Sequence, residues 1–275
     1  KYYGQTGERD ELEIPEADVG IISGGIRNEK EKHVANEMRK KCGTLIALGS
    51  CACYGGIPAL ANMFPIEALY QKVYRDSKTT DSADTPTDNL PPLLDRVYAI
   101  DEVVDVDVRI PGCPTNPDLI VTALTGLLEG KPFELPERSV CDECPLKREK
   151  KASGGEIKRM LESVEFKQGV PWDHTRCFME QGYLCLGPVT LAGCGSKEGN
   201  GNGVTVPRCI KGYMPCRGCF GPIRKGANPM VDMMGAISSI GLDAKQVEDR
   251  RALLNRYVGA HNRLRPLPAR PKKGS

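Results

Sequence analysis

The first half of the chain alternates short apolar runs with segments whose apolar residues recur every third or fourth position. Ala17 to Ile22 is a strand-like apolar run that ends at Ser23, Gly24 and Gly25. Asn28 then stands as a helix cap with Glu31 three residues on, in the arrangement of a capping box, and Val34, Met38 and Cys42 fall on one face. Gly43 is the expected end of that helix. Thr44 to Leu48 reads as a buried strand, and Gly49 to Gly56, with Cys51 and Cys53 inside it, as the turn at its carboxyl end. Further on, Ile66 to Tyr74 predicts a helix. Asp76 to Asn89, rich in Ser, Thr, Asp and Pro, predicts a surface loop or a partner-contacting insertion. Val103 to Ile110 alternates valine with charged residues, as a strand does, and runs into Pro111-Gly112-Cys113-Pro114. A third helix follows with Asn116 as cap, Pro117 at its first position, Leu119, Ala123 and Leu127 on one face, and Gly130 at its end.

Alternating strands and helices predict an open α/β sheet, and such sheets place ligands at the carboxyl ends of their strands. Two neighbouring strands therefore deliver Cys51 and Cys113 to one edge. From Lys131 the pattern changes. Irregular, proline-containing segments dominate, with one amphipathic helix predicted over Gly155 to Val164 (Ile157, Met160, Leu161, Val164) and another near Met230 to Ile240. Eight of the twelve cysteines lie between Cys141 and Cys219. A region with little apolar periodicity and many thiols is expected to fold around bound metal. The predicted organisation is an α/β domain over 1–135, a cluster-organised domain over 136–265 and a loose tail over 266–275.

Charge narrows the partners. With 38 basic and 36 acidic side chains the net charge is +2, so neither nucleic acid nor an anionic membrane is implied. No run approaches the roughly 20 apolar residues of a membrane span, and no secretory leader with a cleavage site is visible. Lys1 is not an initiator methionine, so the sequence is read as incomplete at its amino end.

Composition points to sulfur. Twelve cysteines accompany one tryptophan and five phenylalanines. A disulfide framework suits small secreted domains, and a chain of 275 residues has no need of one. Structural zinc takes tetrahedral sets of four, and iron-sulfur clusters take four thiolates that are more scattered along the chain. The C-terminal cysteines divide in chain order into Cys141, Cys144, Cys177, Cys185 and then Cys194, Cys209, Cys216, Cys219, each set holding one C-x-x-C pair. Those pairs lie much further apart than the roughly 15 to 20 residues of a zinc ribbon, which favours iron-sulfur over zinc. Other chemistry-bearing residues have plainer readings. Cys42 is a small core residue of its helix face and Cys53 is read as structural. His174 is a surface histidine, and His33 and His261 have no partner pattern. Gly24-Gly25 lacks the spacing of a nucleotide-binding loop.

Five motifs occur in one order: Ser50-Cys51-Ala52 with Gly55-Gly56, Pro111-Gly112-Cys113-Pro114, Cys144-Pro145, Cys185-x-Gly187-Pro188, and Pro215-Cys216-Arg217-Gly218-Cys219. In this the chain resembles the small subunit of nickel-iron hydrogenases, above all the cytoplasmic, methyl-viologen-reducing kind (F420-non-reducing) found with heterodisulfide reductase. The resemblance implies a flavodoxin-like amino-terminal domain and a cytoplasmic protein. It also implies a wire of three iron-sulfur clusters, all [4Fe-4S], and a nickel-iron site on a separate large subunit rather than on this chain. Cys51 and Cys113 match two of the four ligands of the proximal cluster. The other two normally come from a C-x-x-C after the first strand, and both strand and motif are expected to precede Lys1. Cys141, Cys144, Cys177 and Cys185 match the distal cluster, with Cys141 where many relatives have histidine. Cys194, Cys209, Cys216 and Cys219 match the medial cluster, with Cys209 where oxygen-handling relatives have proline. The implied partners are the large subunit and a downstream acceptor, ferredoxin-like, flavin-bearing or of heterodisulfide-reductase type. No acid-base catalytic residue is implied. Two rivals stand beside this reading. A complex-I cluster subunit shares the first domain but lacks the eight-cysteine half, and a zinc-stabilised interaction module has no redox role.

Overall fold

The computed structural model describes residues 14–79, 81–149, 155–158, 170–197 and 205–268. They cluster into two compact units, one formed by the described residues of 1–109 and 258–275, the other by those of 110–257. The boundary expected near Leu135 thus falls inside the second unit. The last described residues, expected as the end of the second domain and a loose tail, group with the first.

In the first unit, strand β1 (Ala17–Ser23) is followed by the short β2 (Ile26–Asn28) and helix α1 (Glu29–Lys41). The capping box is present: the Glu31 N–H donates to Asn28 Oδ1 at 2.8 Å, and the Asn28 N–H to Glu31 Oε2 at 3.2 Å. Strand β3 (Cys42–Leu48) begins directly where α1 ends, so Gly43 is a strand residue and not a helix stop. Arg39 makes this abrupt junction possible. Its guanidinium donates to the Cys42 and Gly43 carbonyls, both at 2.7 Å, and pairs with Asp107 at 2.6 Å. Cys42 is therefore the first residue of β3 and not part of a helix face, yet it is buried as the core reading required. A Cβ on Gly20 would stand 2.5 Å from the Cys42 sulfur, so the strand opposite must be bare there.

Strands β1 and β3 run parallel in register from Ala17–Cys42 to Ser23–Leu48. β5 (Val108–Ile110) completes the sheet in the order β1-β3-β5, which puts the strands leading to Cys51 and Cys113 side by side. The strand expected over Val103 to Ile110 is shorter than its alternation suggested, because Ile100–Glu102 curl into a 3-10 turn held by the Ala99 N–H on Glu102 at 3.0 Å. Strand β4 (Leu93–Tyr98), which the sequence pattern did not predict, pairs antiparallel with β2. Between them lie helix α2 (Gly49–Tyr54) and α3 (Ile66–Tyr70), the latter continuing as a π-helical turn to Arg75. Ile26, Ala35, Leu45, Ala47, Ala52, Cys53 and Ile100 form the core of this unit.

The second unit opens with α4 (Pro117–Leu128), capped as predicted by Asn116 Oδ1 on the Asp118 N–H at 3.1 Å. After it regular structure is sparse. α5 (Val140–Glu143), the two-residue strands β6 (Ser196–Lys197) and β7 (Thr205–Val206), α6 (Arg208–Lys211), α7 (Pro229–Ser239) and α8 (Arg250–Leu254) are joined by loops that touch through single pairings. α7 is the helix predicted near Met230. The helix predicted from Gly155 is not formed at its start: Gly155 and Lys158 make isolated bridges to Leu242 and Tyr183. Its remainder lies outside the described residues. The core here includes Phe178, Tyr183, Leu186, Met233, Ile237 and two cysteines, Cys185 and Cys216.

Candidate functional site

None of the twelve cysteines is in a disulfide. The first C-x-x-C pair is set by α5, where Ser139 and Asp142 cap the helix with the Ser139 N–H on Asp142 at 2.8 Å. Lys147, three residues beyond Cys144, docks the next thiol. Its N–H donates to the Thr175 carbonyl and its carbonyl accepts from the Cys177 N–H, both at 2.8 Å. Cys185 arrives on the turn leading to Leu186 and Gly187, and its sulfur accepts from the Cys216 N–H at 3.2 Å.

These four thiols act on one another. Burial pushes the Cys141 thiol up to about 12, with Arg148 opposing and the charges of Cys144 and Cys177 adding to the rise. Burial raises Cys144 also, against a hydrogen bond from the Leu146 N–H and with Cys177 again adding. Cys185 is raised by burial, and Cys141 and Cys177 are among its neighbours. Such thiols stay protonated unless a cation takes the proton's place, because desolvation penalises the bare thiolate.

The second set is assembled in the same way. The loop carrying Cys194 is held on one side by the Gly193 N–H on Glu143 Oε2 at 2.9 Å and on the other by Asn116 Nδ2 on the Gly195 carbonyl at 3.0 Å. Cys209 rides on α6. Burial raises Cys194, opposed by a hydrogen bond from the Arg208 N–H and reinforced by Cys209. Cys216 is held well above the ordinary thiol value by burial, then by Cys185, Cys209 and Cys194. Burial pushes Cys219 up to about 12, with Cys209 and Cys194 adding and the Cys113 N–H opposing through a hydrogen bond to its sulfur. Cys185 and Cys216 face each other doubly, since the Leu186 N–H also donates to the Cys216 carbonyl at 2.9 Å.

The chemistry of these donors, rather than a preformed grouping, fits an iron-sulfur group. They combine desolvated thiols with backbone N–H donors aimed at sulfur, and such donors are among the groups that tune a cluster. A cradle is also kept open between them. A Cβ on Gly187 would come within 3.0 Å of the Cys141 sulfur and 3.6 Å of the Cys185 sulfur. Among the described residues no three or more His, Cys, Asp or Glu side chains form a group that could hold a metal ion.

Cys51 belongs to the first unit, on the short helix α2, and Cys113 to the second, exposed and beside Cys219. The turn expected over Gly49 to Gly56 is this helix, closed by Gly55 at φ 82° and Gly56 at φ 55°. Gly56 is bare for a local reason: a Cβ there would meet the Cys51 sulfur at 2.5 Å. Cys53 is buried with its thiol on the Ala47 carbonyl at 3.4 Å, which fits its structural reading. His174 and His33 are exposed. Sequence reasoning missed Glu143 and took Asn116 only as a helix cap. Neither has a local signal, because their targets lie 50 and 79 residues away.

The model of the family described as NADH ubiquinone oxidoreductase, 20 Kd subunit, matches residues 3–127. An F420-non-reducing hydrogenase subunit of Methanocaldococcus jannaschii, of the vhu type, is 41% identical over 250 residues, covering 90% of this chain and 80% of the relative. The corresponding F420-non-reducing hydrogenase subunit of Methanothermobacter marburgensis is 37% identical, covering 86% and 72%. A solved NAD+-reducing [NiFe]-hydrogenase chain is similar at 34% identity and a TM-score of 0.43, over 47% of this chain and 75% of that one. The match to the ubiquinone oxidoreductase model stops where the cysteine-rich half begins, whereas the hydrogenase relatives continue through most of it. By this similarity the chain belongs to the family of these F420-non-reducing hydrogenase subunits.

Proposed function

We propose that this chain is the electron-relaying small subunit of a cytoplasmic [NiFe]-hydrogenase, an oxidoreductase part that performs no bond chemistry of its own. Its relatives are named hydrogenase subunits, which supports the assignment. Cys141, Cys144, Cys177 and Cys185 hold the distal cluster and face the acceptor. Cys194, Cys209, Cys216 and Cys219 hold the medial cluster. Cys51 and Cys113 supply two ligands of the proximal cluster, toward a large subunit that carries the nickel-iron site. Iron-sulfur clusters supply reversible one-electron storage, and ligation by thiolate alone supports the low potentials that suit a ferredoxin-like, flavin or heterodisulfide-reductase-type acceptor. The flavodoxin-like character of the first unit belongs to this reading, supported by its parallel pairing of β1 and β3. No helix among the described residues is long and apolar enough to cross a membrane.

The observation that supports the assignment most is that six of these eight thiols, Cys141, Cys144, Cys185, Cys194, Cys216 and Cys219, are raised above their ordinary value by burial. Cys141 and Cys177 add to the rise of Cys185, Cys209 and Cys194 add to that of Cys219, Cys216 is raised after burial by Cys185 of the other set and then by Cys209 and Cys194, and backbone N–H groups are aimed at sulfurs. Iron and acid-labile sulfide analysis of the anaerobically isolated complex tests it. About eight iron atoms per chain are expected from these two sets alone. Cys144→Ala and Cys209→Ala are each expected to abolish a different electron paramagnetic resonance signal. A colourless protein holding zinc and no iron would sink the assignment.

A further inference from the structure

The far end of the chain returns to the turn that carries Cys51. Val258 pairs with Gly56 in parallel, and the Ala260 N–H donates to the Tyr54 carbonyl at 3.1 Å. The two backbones meet without clearance. A Cβ on Gly55 would stand 2.8 Å from the Ala260 Cβ, and one on Gly259 would stand 2.8 Å from the Ala59 carbonyl oxygen. Tyr54 is the last residue of α2, and one turn earlier in that helix the Cys51 carbonyl accepts from the Gly55 N–H at 2.9 Å.

The returning segment has an uncommon backbone. His261 and Asn262 take φ values of 55° and 58°, two consecutive left-handed residues that are not glycine. Such conformations persist where the surroundings over-determine them. Here the surroundings are charged. His261 Nε2 lies 2.7 Å from Asp101 Oδ1, and Asp101 Oδ2 accepts from Arg109 at 2.7 Å. Asn262 Oδ1 accepts from Arg96, which pairs in turn with Glu102 at 3.3 Å. Arg263 adds to the charged surroundings of Asp101, and burial holds the nearby Tyr54 phenol in its neutral form. Burial works against the Asp101 charge, but His261 and Arg109 outweigh it and hold the carboxyl below its ordinary value. Asp101 itself is anchored by the 3-10 turn of Ile100–Glu102, whose Ile100 is in the core.

We propose that His261 is a positioning residue: paired with Asp101, it clamps the carboxyl-terminal return onto α2 and fixes the direction in which Cys51 presents its sulfur. This rests on the reading of Cys51 as a cluster ligand. It also corrects the expectation that His261 has no role. The histidine has no partner pattern in the sequence because Asp101 is 160 residues away. The clamp makes the Cys51 ligand depend on the distant segment that carries His261.

Two buried cysteines of the same unit report on the clamp. Cys53, 1% exposed, lies on α2 itself, whereas Cys42, 6% exposed, lies at the opposite end of β3. In the full chain, His261→Ala is expected to speed alkylation of Cys53 by N-ethylmaleimide about tenfold, as loss of a hydrogen bond to a charged group implies, and to leave Cys42 unchanged. His261→Asn, which tolerates the left-handed backbone and donates to Asp101, is expected to restore most of the slow rate. Asp101→Asn serves if His261→Ala fails to fold, and is expected to give a smaller increase in the same pattern. Equal acceleration of both cysteines, or of neither, overturns the proposal.

In the reduced holoprotein, His261→Ala is further expected to shift the one resonance signal that Cys51→Ser abolishes and to leave the others in place. Should Cys51→Ser abolish no signal, the ligand reading fails, and the alkylation ratio still decides the clamp.

Discussion

The two units of this chain solve the folding problem differently. The first buries apolar side chains between a small parallel sheet and short helices, and its cysteines Cys42 and Cys53 serve there as small core residues. The second has few long elements among its described residues, and two of its core members are thiols, Cys185 and Cys216, joined by reciprocal backbone contacts. The lesson is that cysteine burial has opposite meanings in the two. In the first the cysteine side chain fills space beside a strand. In the second several thiols are desolvated together, and a mutually repelling set of that kind is stable as thiolate only with a cation among them.

Removing the metal separates the units most sharply. Chelation under reducing conditions is expected to strip hydrogen-exchange protection from the loops around Cys141 to Cys219 and to leave the β3 amides of Leu45 to Ala47 protected. Metal-coupled folding is worth on the order of 10 kcal/mol, more than a small core supplies. Retained protection in both regions would break the comparison.

A single methyl group gives the next largest contrast. Gly187→Ala places a carbon 3.0 Å from the Cys141 sulfur, in the cradle between the thiols. It is expected to cost about 1–3 kcal/mol and to broaden or remove one cluster signal. Gly126→Ala, on α4 with only the Lys131 carbonyl at 3.6 Å, is expected to stabilise by about 0.5–1 kcal/mol. Thermal melting with iron analysis on both variants checks the pair.

The smallest effect belongs to the first unit. Asn28→Ala removes the acceptor that holds the Glu31 N–H, and is expected to cost about 1 kcal/mol with iron content unchanged. Loss of iron in that variant would mean that the sheet unit is not independent of the clusters.

Local signals in the sequence translate directly into structure. The capping box of Asn28 and Glu31, the Asn116-Pro117 helix start, the helix near Met230 and the strands around Ile22 and Ile46 all rest on residues a few positions apart, and all are present, although β1 around Ile22 is largely exposed. Sequence patterns mislead where another contact overrides them, whether that contact is three or four residues away or far along the chain. Gly43 looks like a helix stop, but Arg39 ties its carbonyl into the start of a strand. Val103 and Val104 look like strand residues, but Glu102 curls the chain before them. The start of the helix predicted from Gly155 is taken up by bridges to Leu242 and Tyr183.

Composition and spacing alone pointed to sulfur as the chemistry-bearing element of this protein, through twelve cysteines of which eight lie in the carboxyl half with two C-x-x-C pairs. A thiol's identity and order are written in the chain. Tertiary structure decided which backbone N–H groups aim at those sulfurs, that Glu143 and Asn116 brace the Cys194 loop, and that His261 meets Asp101. Those contacts join residues 50 to 160 positions apart. At such separations the chain carries no periodicity, and only the folded packing brings donor and acceptor within bonding distance.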